Sequence, residues 1–86
     1  MNTRVTIGLN LRRLRVERGL SQERLALATG IDRAYVGRVE RGSENVTIAT
    51  LEAMAAALSV PVRQLFDEAQ DEVPQRLPSG RKRAQL

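Results

Sequence analysis

The amino-acid sequence predicts an all-α fold of four or five short helices in one domain. Apolar residues recur at helical spacing along most of the chain, and capping residues and glycines separate these segments. Of the 86 residues, 42% are hydrophobic, yet Tyr35 and Phe66 are the only aromatic ones. A core of Leu, Val, Ile and Ala suits closely packed helices, and the chain length is that of one domain.

The first two predicted helices are separated by a glycine and a capping serine. Apolar residues at helical spacing between Ile7 and Leu14 predict a first helix that ends at Gly19. Ser21 is a favourable N-cap for a second helix over Gln22–Thr29.

The third predicted helix follows closely, over Arg33–Glu40. Asp32 provides its N-cap, Val36 and Val39 mark its buried stripe, and Gly42 ends it. Because the connections are so short, the second and third helices must meet at a tight corner of the helix-turn-helix kind.

A polar loop, residues 43–46, precedes the fourth predicted helix. Thr47 caps that helix, and its apolar face is predicted to carry Ile48, Leu51, Ala55 and Leu58. Pro61 is tolerated in a first helical turn and predicts a short fifth helix. The apolar residues of that helix are Val62, Leu65 and Phe66.

Charge is distributed unevenly along the chain. The 14 basic and 10 acidic side chains leave a net charge of +4, and this excess lies within residues 1–66. All but one of the basic residues are arginine, which suits phosphate and guanine edges, although codon bias produces the same enrichment. Residues 69–86 are rich in Pro, Ser, Gly and charge and are predicted to form a flexible polar tail outside a domain of residues 1–68. The basic cluster at 81–83 is either a DNA-binding arm or a solvated terminus, and we favour the solvated terminus.

Composition argues against an enzyme. The chain has no cysteine and no histidine, so it lacks thiol nucleophiles, thiolate zinc ligands and the commonest neutral-pH base. Glu17, Glu23 and Glu52 fall on different predicted helices without paired spacing. We expect no catalytic site, no metal and no cofactor. No apolar run approaches the roughly 18 residues of a membrane span, which predicts a soluble, cytoplasmic protein.

The most informative motif joins the second and third predicted helices. It consists of Gln22, Ala26, Gly30, Val36 and Val39. Ala26 is small where the two helices approach, Gly30 tolerates the positive φ of the turn, and the two valines seat the third helix on the first two. Five compatible positions flanked by caps strongly favour a helix-turn-helix.

Residues 7–66 resemble the λ-repressor/Cro-like helix-turn-helix family, also called Xre-type regulators. The resemblance lies in GLSQERLA at 19–26, VERG at 39–42 and LSV at 58–60. The stretches DRAYV at 32–36 and NVTI at 45–48 are more specifically similar to controller proteins of restriction–modification systems. The resemblance implies a five-helix, DNA-binding and usually dimeric fold.

The third helix would supply the base-reading side chains. The face opposite its apolar stripe is predicted to carry Arg33, Ala34, Gly37, Arg38 and Arg41. By resemblance, Arg33 and Ala34 hold the first reading positions and Arg38 lies on the next turn. Arg33 and Arg38 are therefore candidate readers of guanine O6 and N7, the alternative being a solvated basic face. Tyr35 either reaches the DNA or stacks on the domain surface.

Four other residues are candidates for phosphate contacts. Gln22 resembles the family residue that meets a phosphate and braces the start of the recognition helix. Arg41 would contact the DNA backbone, as would Ser43 and Asn45 in the next loop, although those two are equally typical of ordinary turns.

Two further roles follow from the resemblance. Arg15 and Glu40 match positions that form a buried ion pair between the first and third helices. Ser59 replaces the usual glycine after the fourth helix, so it is predicted to adopt a left-handed conformation, and Pro61 leaves the fifth helix without a side-chain cap. The expected dimer patch consists of Val62, Leu65 and Phe66, with packing inside their own domain as the alternative.

These features predict a transcriptional regulator that binds a pseudo-palindromic operator as a homodimer in the nucleoid. Two recognition helices about 34 Å apart would enter successive major grooves. Polymerase or a toxin is a possible protein partner. The alternative is an antitoxin or protein-interaction module in which DNA binding is secondary; steeply salt-dependent DNA affinity would favour the regulator.

Overall fold

Four α-helices and one 3₁₀ helix make up residues 2–68, the part of the chain that this computed structural model describes. Their bounds are α1 Thr3–Glu17, α2 Gln22–Thr29, α3 Arg33–Glu40, α4 Ile48–Leu58 and the 3₁₀ helix Val62–Phe66. Residues 2–68 contain no β-strand, which confirms the all-α prediction. The predicted fifth helix is a 3₁₀ helix, closed at its start by a hydrogen bond from Gln64 N to Pro61 O at 3.0 Å. The predicted tail and its basic cluster lie outside the described residues.

Local capping places the helix starts largely where the sequence predicts them. The Ser21 hydroxyl accepts a hydrogen bond from Arg24 N at 3.0 Å, and the Thr47 hydroxyl accepts one from Thr50 N at 3.1 Å. Asp32 occupies the N-cap position of α3, but its side chain accepts no such bond. The capping bond predicted for Asp32 is therefore wrong, although the predicted start of α3 is correct.

A left-handed residue follows each of the four α-helices, beginning with Gly19 after α1, which has φ 69°. Gly30 after α2 has φ 73° and Gly42 after α3 has φ 76°. Ser59 has φ 58° and ψ 42° at the end of α4, which confirms the left-handed conformation predicted for it. A side chain at such a position costs about 1–2 kcal/mol relative to glycine, so the sharp exit from α4 is maintained by its surroundings.

One core joins all five helices. Its fully enclosed side chains come from every helix and include Leu11, Leu25, Val36, Met54, Leu58 and Leu65. Ile48 does not belong to it, because 73% of this residue is exposed, so the inward position predicted for Ile48 is wrong. As the first residue of α4 it projects back past the start of the helix, and the buried stripe begins one turn later at Leu51.

Helices α1 and α3 approach most closely at Gly8. An ideal Cβ on Gly8 would lie only 2.5 Å from the Val39 carbonyl oxygen and 2.6 Å from that of Glu40. Tight helix packing is predicted from the sequence at Ala26 in α2 but not at Gly8. Only a residue without a side chain permits this backbone contact between α1 and the end of α3.

Asn10 attaches the 3₁₀ helix to α1. Its side chain is buried and donates from Nδ2 to the Leu65 carbonyl at 3.0 Å and to the Asp67 carbonyl at 2.8 Å, and its Oδ1 accepts from Arg13 Nη2 at 3.3 Å. This attachment places Leu65 in the core, where it has no exposed surface. Leu65 therefore packs within its own domain and is unavailable for a dimer contact, whereas Val62 is half-buried and Phe66 is exposed.

Candidate nucleic-acid interface

The α2–α3 corner turns one face of α3 outward. Val36 and Val39 are buried, whereas Arg33, Ala34 and Arg38 are exposed. This arrangement agrees with the predicted outward face at those three positions. The face presents two guanidinium groups on a helix of eight residues, roughly 12 Å long, next to a fixed corner.

Gly37 is the exception on that face, because it is buried. An ideal Cβ on Gly37 would lie 3.3 Å from Arg41 Nη1 and 3.7 Å from Gln22 Oε1. The side chains of Arg41 and Gln22 thus cover the middle of α3, and the open position predicted for Gly37 is wrong. These two side chains form the surface there instead.

A buried ionic network fixes the orientation of α3. Arg15 donates from Nε to Glu40 Oε2 at 2.6 Å and from Nη2 to Glu40 Oε1 at 3.1 Å, so the two groups form the ion pair that the resemblance implies. Arg15 also donates to the Leu20 carbonyl at 2.7 Å. Only 11% of the Arg15 side chain and 4% of the Glu40 side chain are exposed. Both charged groups are matched by hydrogen bonds, as the burial of an ion pair requires. The pair connects α1, the α1–α2 loop and the end of α3.

Gln22 extends this network to the surface. Its Nε2 donates to Glu40 Oε1 at 3.0 Å, so the amide is oriented by the buried carboxylate. The predicted brace is therefore directed to the end of α3 rather than to its first residue. The Gln22 amide oxygen lies beside Gly37, at the mouth of the corner.

Arg38 is held on two sides. Its Nε donates to Glu44 Oε1 at 2.8 Å, and its guanidinium carbon lies 5.6 Å from the centre of the Tyr35 ring. The hydrogen bond to Glu44 raises the pKa of Arg38 above its usual value, so the group is cationic at any physiological pH. Tyr35 is half-buried, and the Arg38 guanidinium lies within cation–π distance over its ring. Glu44 was not singled out from the sequence, where its only signal is an opposite charge shortly after the end of α3.

The loop after α3 carries the other predicted phosphate contacts. Ser43 donates to the Arg38 carbonyl both from its backbone nitrogen, at 3.0 Å, and from Oγ, at 3.1 Å. Asn45 Oδ1 accepts a hydrogen bond from Arg4 Nε at 2.7 Å. Arg41 is exposed at the start of the loop. Ser43 thus stabilises the turn after α3 through these two bonds, and Asn45 is tied to Arg4, a basic residue that was not singled out from the sequence.

Arg4 reaches this loop because the start of α1 packs against it. An ideal Cβ on Gly42 would lie 3.0 Å from Val5 Cγ2, so the first turn of α1 touches the turn after α3. This contact places Arg4 near the loop although 41 positions separate it from Asn45. Local sequence carries no signal for such a pair.

The described part of the chain shows no feature of a metal site or a membrane span. Within residues 2–68, no group of His, Cys, Asp or Glu side chains comes together in a way that could hold a metal ion. No helix in that same range is long and apolar enough to cross a membrane.

Comparison with known proteins agrees with this architecture. The helix-turn-helix family HTH_3 matches residues 11–65. A hypothetical transcription factor of Neisseria meningitidis serogroup B is 46% identical over 63 residues, which cover 73% of this chain and 59% of the relative. The control protein C.SmaI of Serratia marcescens is 42% identical over 66 residues, or 77% of this chain and 79% of the relative. The chain spans only 38% to 59% of the length of two of its curated relatives.

Solved structures show the same likeness. The restriction–modification controller protein C.AhdI from Aeromonas hydrophila superposes with a TM-score of 0.72 at 49% identity, covering 73% of this chain and 96% of that one. The crystal structure of the Neisseria factor gives a TM-score of 0.75 at 44% identity, covering 79% of this chain and 78% of that one. The family match over residues 11–65 spans the α2–α3 corner, and the chain belongs to the helix-turn-helix family.

Proposed function

We propose that the chain is a transcriptional regulator that reads the major groove of a pseudo-palindromic DNA operator as a homodimer. The observation that carries this proposal is the outward, arginine-bearing face of α3 on a corner held by buried ionic groups. A short helix with exposed Arg side chains has the size and the chemistry to enter a major groove about 12 Å wide.

Each side chain of this surface is assigned a role that its position supports. Arg33 and Arg38 read guanine edges, with Ala34 allowing close approach between them and Tyr35 supporting Arg38. The phosphate contacts come from the border of this face and are assigned to Gln22, Arg41, Ser43 and Asn45. Arg4 is added to this set because it lies against Asn45.

The buried network of Arg15, Glu40 and Gln22 supports sequence-specific DNA binding rather than non-specific attraction to phosphates. Non-specific binding needs only positive charge near phosphates, whereas base reading requires side chains held in one register. Arg15, Glu40 and Gln22 restrict the rotation of α3 relative to α1 and α2, so the reading face keeps a defined direction. The relatives named as control proteins and transcription factors are consistent with this use of the fold.

A homodimer is proposed because one small module covers only about 600–1,000 Å² on DNA, which rarely suffices for tight specific binding. Val62 and Phe66, one half-buried and the other 39% exposed, are the side chains we assign to the contact between copies. Leu65 supports them from the core. A symmetric pair would present two equal copies of α3 to the two halves of the operator.

Selection of bound sites from random duplexes tests the proposal. We expect an enriched, pseudo-palindromic sequence whose half-sites lie about one helical turn apart, roughly 10–10.5 base pairs. Sedimentation of the chain with the selected duplex should show two copies per site. Failure to enrich any sequence, or binding as a single copy only, would refute the proposal. DNA binding that is absent or insensitive to salt would favour the protein-interaction alternative.

A further inference from the structure

Glu44 stands out because it is an acidic side chain placed against a proposed DNA-reading arginine. A carboxylate near DNA repels phosphates, so a surface built only for affinity would not have one here. Its position is nevertheless defined, because both hydrogen bonds from Ser43 to the Arg38 carbonyl hold the loop against the end of α3. Glu44 itself is only 26% exposed and meets Arg38 at 2.8 Å.

The contact uses only one of the donors of Arg38. Glu44 accepts from Nε, and within residues 2–68 the two terminal nitrogens of Arg38 have no hydrogen-bond partner. The guanidinium carbon of Arg38 lies over the Tyr35 ring, 5.6 Å from the ring centre. Because Glu44 occupies Nε, the two terminal nitrogens are the donor fork of Arg38 that is left for a further ligand. Guanine presents two adjacent acceptors, N7 and O6, that match such a fork.

We propose that Glu44 is a specificity-determining positioning residue that holds Arg38 through Nε and thereby directs its terminal nitrogens at one guanine. This inference rests on the proposed DNA-binding function. It has two consequences: Glu44 strengthens discrimination at the base that Arg38 reads, and its charge weakens binding to every sequence equally. Only the first effect raises the ratio of specific to non-specific affinity, whereas the second lowers the affinity for all sequences alike.

The base read by Arg38 must first be identified. Sites are selected with the full chain and with R38A, and the position at which R38A alone loses its guanine preference defines the contact. We expect R38A to lose about 5- to 150-fold of discrimination there, the range of one bidentate contact. Wild-type chain that enriches no sequence would refute the proposed function itself. An enriched wild-type site with no position lost in R38A would overturn only the inference about Glu44.

The role of Glu44 is then tested with E44A and E44Q. Affinities are measured for the selected duplex, for the same duplex with that guanine replaced, and for a random duplex, each over a series of salt concentrations. E44A should lose about two- to fivefold of discrimination at that guanine, the range of one exposed ion pair, and should bind random DNA more tightly. E44Q keeps an oxygen that accepts from Nε, so it should retain most of the discrimination while also gaining non-specific affinity.

The controls separate positioning from charge. E52A removes the same charge from α4, where Glu52 is exposed and belongs to no ion pair of the described residues, and it should leave discrimination unchanged. In an R38A background, E44A should no longer affect discrimination. Circular dichroism and thermal unfolding verify that each variant is folded. Unchanged or increased discrimination in E44A would overturn the inference, as would a loss in E44Q equal to that in E44A.

Discussion

Substitution of Gly8 by Ala isolates the close contact between α1 and α3. The added Cβ would lie 2.5 Å and 2.6 Å from two carbonyl oxygens of α3 and 2.9 Å from the Glu40 carbonyl carbon. Ordinary contacts begin near 3.4 Å, so the two helices must separate by close to 1 Å. The obstacles are backbone atoms, which cannot rotate away as a side-chain end can.

The expected free-energy change combines two opposing effects. Overpacking of this kind costs about 1–3 kcal/mol, and the displacement also strains the Arg15–Glu40 pair that spans the same two helices. Alanine is the better helix former by about 1 kcal/mol, which offsets part of the loss. We therefore expect Gly8→Ala to lower the free energy of unfolding by about 1–2 kcal/mol in urea or guanidinium titrations.

Gly37→Ala is the matched control for this measurement. Gly37 also lies inside a helix, but its ideal Cβ meets only the ends of the Arg41 and Gln22 side chains, at 3.3 Å and beyond. This variant should keep the gain in helix propensity and be as stable as the wild type or more stable. If Gly8→Ala were equally stable, backbone contact would not be the reason for a glycine at that position.

Four further predictions concern the ion pair, the reading face and the end of α4. Glu40→Ala should lower the free energy of unfolding by about 3–5 kcal/mol, because it leaves Arg15 charged and buried; chemical denaturation that shows a loss below 1 kcal/mol would contradict this. Arg33→Ala should reduce discrimination at one base pair by about 1–3 kcal/mol in competition binding, and an unchanged sequence preference would remove it from the reading set. Arg41→Ala should weaken DNA binding to all sequences alike and should lower the slope of log affinity against log salt concentration by the amount of about one phosphate contact. A loss of affinity confined to one sequence would identify Arg41 as a base reader. Ser59→Gly should raise the free energy of unfolding by up to about 1 kcal/mol by removing the left-handed strain, and a lower thermal midpoint would argue against that strain.

Helix boundaries were predictable because their determinants are local. Ser21 and Thr47 accept hydrogen bonds from backbone groups only three residues away, and Gly30 adopts its positive φ in the turn itself. The left-handed conformation of Ser59 was instead predicted from the family resemblance, because Ser59 stands where the family usually has a glycine. Two predictions from local rules were wrong. Asp32 begins α3 without making the capping hydrogen bond, and Ile48 lies on the helical repeat but is exposed because the core begins one turn later.

The candidate site divides in the same way. The outward positions of Arg33 and Arg38 follow from the helical repeat, because Val36 and Val39 must point inward. What those guanidinium groups contact does not follow from it. The hydrogen bond that holds Arg38 depends on Glu44, whose position is set by how the loop folds back on α3.

By itself, the sequence determined the helical class, the bounds of α2 and α3 and the outward face of α3, since periodicity and capping act over one or two turns. Only the tertiary structure decided which backbone lies against Gly8, why Asn10 is buried and how Arg4 reaches Asn45. These contacts join residues more than thirty positions apart. Their geometry depends on the simultaneous packing of several helices, which no short segment of sequence can specify.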